Sequence, residues 1–172
     1  MNNSTTTYSL IADYFIALSN ETQNLITNLK LQKLVYYAQA WHLAIHNKQL
    51  FEEDFEAWVH GPVLPLLYND YKHFSWKPLI REDLYEGKFA EIEETLDQTT
   101  RKFLSDITSE YFGLTAYELE RLTHNEDPWK IARGGIPEDQ PSNVVIAKDS
   151  MRDYYNQYID NGETQTNQSP AK

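Results

Sequence analysis

Few residues of this 172-residue chain have types and spacings that could carry chemistry. His42 and His46 stand four apart in a stretch of helical periodicity, so both rings project from one face, the spacing of a two-histidine metal pair. Leu43 follows His42 where a metalloprotease would carry its glutamate, and no third ligand lies at a recognisable spacing, although Glu52 and Glu53 follow in the sequence. The pair reads as packed or solvent-facing. The chain has no cysteine, which removes disulfides and thiolate metal sites. No serine stands in a Gly-x-Ser-x-Gly elbow, and Gly134-Gly135 lacks the lysine and spacing of a phosphate loop. Glu91, Glu93 and Glu94 open a helix, where negative charge suits the dipole. The expectation is no catalytic residue, no metal and no cofactor, and a protein that is not an enzyme.

The elements that would position any site are mainly helical. Ile11, Tyr14, Phe15 and Leu18 mark one face of a helix over 8–18, and 19–28 reads as a polar break. A longer helix runs from 29 to about 47, with Thr27 or Asn28 as its cap. Residues 55–59 read as a short extended segment, punctuated by Gly61-Pro62, and a helix follows from about 64–66 to 73. Residues 75–87 read as a linker. One helix is expected over 91–111, stopped by Gly113. Thr115-Ala-Tyr-Glu118 fits a capping box for a helix over 116–123. Asp127 before Pro128 reads as the cap of a short helix ending at Gly134-Gly135. Residues 144–146 read as extended, and Met151, Tyr154, Tyr155 and Tyr158 support a last helix from about 148. The fold class expected is mainly α: one compact helical domain over 8–160 with a minor short β element, then a disordered tail over 161–172.

Composition narrows the partners. The formal net charge is −11 with a pI near 4.8, a poor match to a phosphate-neutralising surface, so nucleic acid is not expected. No run approaches the ~18 apolar residues of a membrane span, and the polar N-terminus does not look like a signal peptide, so cytoplasmic residence is expected. Twelve tyrosines and four tryptophans are a rich supply for a core, an interface, or both. The helix from 29 is apolar or aromatic over more than one face, which places it at the centre of a bundle or against a partner.

Three stretches together resemble the Panacea, or SocA-like, antitoxin domain. They are Lys30-Leu-Gln-Lys-Leu-Val-Tyr-Tyr-Ala38 with Trp41, then Phe55-Glu-Ala-Trp58 with Gly61-Pro62-Val63 and Tyr68, and lastly Leu122-Thr-His124 with Pro128-Trp129. They occur in that order over nearly the whole chain. The resemblance implies a mainly helical fold and an antitoxin of a bacterial or phage toxin–antitoxin pair, which neutralises a cognate toxin protein by direct contact. One member type instead delivers its toxin to a Clp-type protease, and a phage-associated interaction protein without a toxin is a further alternative. Members often carry an added DNA-binding domain, for which this chain has no room. The partner-binding candidates are Lys30, Lys33, Tyr37, Trp41, His60, Gly61, Pro62 and Trp129. Lys30 and Lys33 are expected to point away from the Leu31–Leu34–Val35 stripe, His60 to be presented by the Gly-Pro turn, and Trp58 to lie in the core.

Overall fold

The computed structural model describes residues 5–166, with side chains through residue 159. Eight α-helices and one two-stranded hairpin lie among these residues, the mainly α architecture that the periodicities predict. Helix α1 (Tyr8–Thr22) is capped by the Thr7 hydroxyl, which accepts from the Leu10 amide. It overruns the expected end at 18 because Ser19 and Asn20 are buried joints, not a polar break. Ser19 accepts from the Ile26 amide, and Asn20 donates to the Ile16 and Leu79 carbonyls while accepting from the Arg81 amide. A buried polar side chain with all its partners supplied is compatible with a core.

Helix α2 (Asn28–His46) is capped by Thr27 and ends at Asn47 in the left-handed conformation. Every residue from 30 to 40 is buried, so the central reading of this helix holds. Its polar residues hold irregular backbone in place. Gln39 donates to the Phe51 carbonyl and accepts from the Leu50 amide; Gln32 accepts from the Leu64 amide. The most extensive packing of α2 is against α8 (Lys148–Thr166), which starts where predicted. Of the expected tail, residues 161–166 belong to α8, and 167–172 lie outside the described residues.

Strands β1 (Glu56–Trp58) and β2 (Gly61–Val63) pair antiparallel, with Ala57 opposite Pro62. The two segments read as extended meet here: Ala57 donates to the Val144 carbonyl and Ile146 to the Phe55 carbonyl, both at 2.8 Å. Gly61-Pro62, read as punctuation, is itself strand. Because the Ala57 amide faces Val144, the Ala57–Pro62 pair asks no ladder bond of the proline.

Helix α3 (Pro65–Tyr71) and a 3-10 turn (Lys72–Phe74) follow, and a second 3-10 turn (Glu82–Leu84) interrupts the expected linker. The helix expected over 91–111 is two helices, α4 (Lys88–Thr95) and α5 (Gln98–Tyr111). Asp97 breaks the run by capping α5, its carboxylate accepting from the Thr100 amide at 2.9 Å. The predicted capping box opens α6 (Ala116–Asn125), with Thr115 and Glu118 bonded reciprocally. In α7 (Asp127–Arg133) the cap position belongs to Glu126, not Asp127, and it makes no capping bond. The Glu126 carboxylate is turned inward instead, onto Tyr37 and Tyr155.

One contact locks the hairpin to α2. Lys33 is fully buried and its ammonium nitrogen donates to the Pro62 carbonyl at 2.9 Å. Gly61 makes room for it: at φ +95°, a Cβ there would stand 2.7 Å from Thr123 Oγ1 and 2.8 Å from Lys33 Cε. Gly61→Ala therefore combines left-handed backbone strain with overpacking and is expected to cost about 2–4 kcal/mol; a urea midpoint within error of wild type would refute this. Burial also pulls the Lys33 pKa from 10.5 down to about 7, against a smaller raising effect of Glu120. Between those values the unfolded chain holds a proton that the folded chain releases, so this residue makes stability rise with pH from about 7 towards 10.5. Lys33→Met should flatten the difference in unfolding free energy between about pH 7 and pH 9.5, read by urea titration; an unchanged slope would locate the titration elsewhere.

Candidate functional site

Four of the eight sequence candidates, Lys30, Lys33, Tyr37 and Trp41, share one face of α2, and that face is turned inward. The expectation that Lys30 and Lys33 point outward is overturned. Lys30 donates to the Phe112 carbonyl at the end of α5 (2.7 Å) and its nitrogen lies 5.0 Å from the Phe112 ring centroid. Burial lowers its pKa. A position away from the apolar stripe is outward only on a helix with a free side; here the alkyl stems pack and the charged tips end on carbonyls. Tyr37 stacks on Tyr111 at 4.0 Å, and its hydroxyl donates to Glu126 at 3.1 Å. Trp41 is half-buried, its indole N–H donating to the Tyr111 hydroxyl at 2.6 Å.

The remaining candidates divide the same way. Gly61 and Pro62 are buried in β2. Trp129 is buried, donates to the Trp58 carbonyl at 2.8 Å and stacks on His124 at 4.1 Å, with the Arg133 guanidinium 4.8 Å from its ring. His60 alone is freely exposed, its side chain 71% accessible and its Nδ1 3.2 Å from Glu120 Oε1.

Two ionisable clusters invite a chemical reading. Glu126 accepts from the hydroxyls of Tyr37 and Tyr155, and its carboxyl is pushed up to about 7, mainly by burial. Burial likewise raises both phenols. The carboxylate is enclosed by core tyrosines, and the cluster acts as a joint between α2, α7 and α8. His42 and His46 have ring centroids 4.6 Å apart, but His42 Nδ1 is bonded to the Lys48 carbonyl at 2.6 Å and burial lowers its pKa. Among the described residues, no third His, Asp or Glu completes a metal-binding group.

The surface feature that the sequence reading missed is a groove of about 720 Å³ beside the hairpin. It is lined by Trp58, Val59, His60 and Val63 of the hairpin, by Tyr68 and Trp76, by Leu29 and Gln32 of α2, and by residues 141–143. Trp58 is not core. Its N–H donates to Glu56 at 2.6 Å while its ring meets Tyr68 edge-on at 5.0 Å. Trp76 is 79% exposed. The lining is predominantly apolar and contains no Asp, Glu, Lys or Arg. A tryptophan in the otherwise polar Ser75-Trp76-Lys77 run was the available signal, because tryptophan is enriched among the residues that carry binding energy at interfaces.

The model of the family described as "Antitoxin SocA-like, Panacea domain" matches residues 31–130, from the first turn of α2 into α7. A relative, the antitoxin SocA of Caulobacter vibrioides (strain NA1000 / CB15N), is 28% identical over 115 residues, 64% of this chain. That match covers 61% of the relative, less than two thirds of its length. No solved structure matches significantly. With its Lys30–Ala38 segment, hairpin and Trp129 contact all placed within one interlocked core, and with more than half its length matched, this chain belongs to the antitoxin SocA-like, Panacea domain family.

Proposed function

We propose that this protein is an antitoxin that neutralises a cognate toxin by direct protein–protein contact, without catalysis. The observation that carries the reading is an open groove walled by Trp58, Tyr68 and Trp76 on a member of an antitoxin family. Binding energy at protein interfaces concentrates in a few aromatic anchors surrounded by groups that exclude water. Here the Trp58 ring is already held, by its bond to Glu56 and its edge contact with Tyr68. Little entropy of that side chain is then lost when a partner docks. Part of the tyrosine and tryptophan forms a packed interior at Tyr36, Tyr37, Tyr111 and Tyr155, and part lines this uncovered groove. Among the described residues no helix is long and apolar enough to cross a membrane, and the partner envisaged is a protein.

Co-expression with the product of the adjacent gene tests the reading. Growth arrested by that product should resume when this chain is present, and the two should co-purify. An adjacent product that is not toxic, or toxicity left unrelieved, would sink it. The same assay in a host lacking its Clp-type proteases separates occlusion from delivery to a protease: rescue should persist, and its loss would assign the adaptor mode instead.

A further inference from the structure

The groove also carries information about what enters it. We propose that it receives an uncharged apolar or aromatic segment of the partner, flanked by lysine or arginine, gripped through side chains and not by strand addition; calling that partner a toxin rests on the reading above. The first observation is electrostatic. In a chain with a formal charge of −11, the groove has no Asp, Glu, Lys or Arg in its lining. A charged side chain entering it would shed water and meet no counter-ion, so the inserted residues must be neutral. The rim is different. Glu56 is held by the Trp58 N–H at 2.6 Å, and Glu120 lies 3.2 Å from His60 Nδ1, so two groove residues each fix a carboxylate at its edge. Cations flanking the neutral insert complement that rim and the wider acidic surface, which also speeds encounter.

The second observation concerns backbone. A peptide could add to the hairpin only along the outer edge of β2, because β1 is already bonded to 144–146 on its other side. That outer edge is closed: Pro62 has no N–H to offer, and its carbonyl is taken by Lys33. Recognition is therefore left to the side-chain pocket, whose volume of about 720 Å³ lies in the range that encloses a drug-sized ligand or a few side chains.

Random-peptide display against the full chain, followed by titration of the selected peptides on tryptophan fluorescence, tests this directly. The selected sequences should carry a large apolar residue with Lys or Arg on its flanks. Replacing those flanking cations by Glu should weaken binding, and so should salt. Trp76→Ala, at a ring already 79% exposed, should leave the melting temperature unchanged and weaken binding at least about tenfold. Glu56→Gln and Glu120→Gln should each weaken it about two- to fivefold and reduce the salt dependence. No consensus, an acidic consensus, or full binding by Trp76→Ala would overturn the proposal. So would a change in sedimentation of the peptide-free Trp76→Ala protein, which would give the groove to a second copy of the chain. Growth rescue by wild type without any peptide preference leaves the antitoxin reading standing and removes this one; peptide preference without rescue does the reverse.

Discussion

A helix buried through its middle must find partners for the polar groups it carries there, and α2 carries many. Between residues 30 and 40 it holds two lysines, two glutamines and two tyrosines in the interior. An unpaired buried amide or ammonium is costly, and both lysines and both glutamines end on partners, as does Tyr37; the buried Tyr36 hydroxyl is the exception, with no hydrogen-bond partner. The partners come largely from chain that has no regular structure to spend its own groups on: the Phe112 carbonyl beyond α5, the Leu50 amide and Phe51 carbonyl, the Leu64 amide, and the Pro62 carbonyl at the edge of the hairpin. Polar residues in the core of this fold therefore do for the loops what apolar residues do for the helices. Each ties down a segment that hydrophobic packing alone would leave free.

The same logic fixes the hairpin from its other side. Arg133 is buried and donates to the Ala57 carbonyl at 2.9 Å while bonding the Pro137 carbonyl at 2.6 Å, and Trp129 takes the Trp58 carbonyl. The hairpin backbone is thus held from α2 and from α7, leaving the Trp58 ring free to face the groove. A two-stranded hairpin alone is marginal in water. Held at this many points, it becomes a rigid wall, and a binding surface on a rigid wall loses little entropy when it is occupied.

Much of the fold was legible in the sequence because local signals and long-range packing agree there. The Thr27 cap, the Thr115–Glu118 box, the start of α8 and the extended pieces at 55–59 and 144–146 all rest on a few neighbouring residues. The failures share a cause. Ser19 and Asn20 read as a polar break, and Lys30 and Lys33 as outward, because polar residues off an apolar stripe face solvent on most helices, and nothing local reveals a carbonyl waiting 2.7–2.9 Å from an ammonium tip. Asp97 was overlooked because the apolar period of residues 92–111 runs straight through it, although an Asp three residues before Thr100 is itself a cap signal. The groove was illegible for a different reason: its walls come from α2, the hairpin, the segment around Tyr68–Trp76 and residues 141–143, which only the tertiary fold brings together.

That assembly separates the residues that mark the family from those that would meet a partner. Leu31–Ala38, Gly61-Pro62 and Trp129 lie inside the matched segment 31–130, and all are buried. They specify how the hairpin is held, and holding it is a requirement independent of what docks. Trp58 and Tyr68 belong to the same segment but face the groove, which makes them the point where scaffold passes into the proposed recognition surface. The wall at 141–143 lies beyond the matched segment altogether. It follows Arg133, whose guanidinium gathers the carbonyls of Pro137 and Gln140 and so positions the loop from within. A loop anchored at its base and free at its lip is suited to change composition without disturbing the core. The chemical character of the groove can then be set by residues on which the stability of the hairpin does not depend.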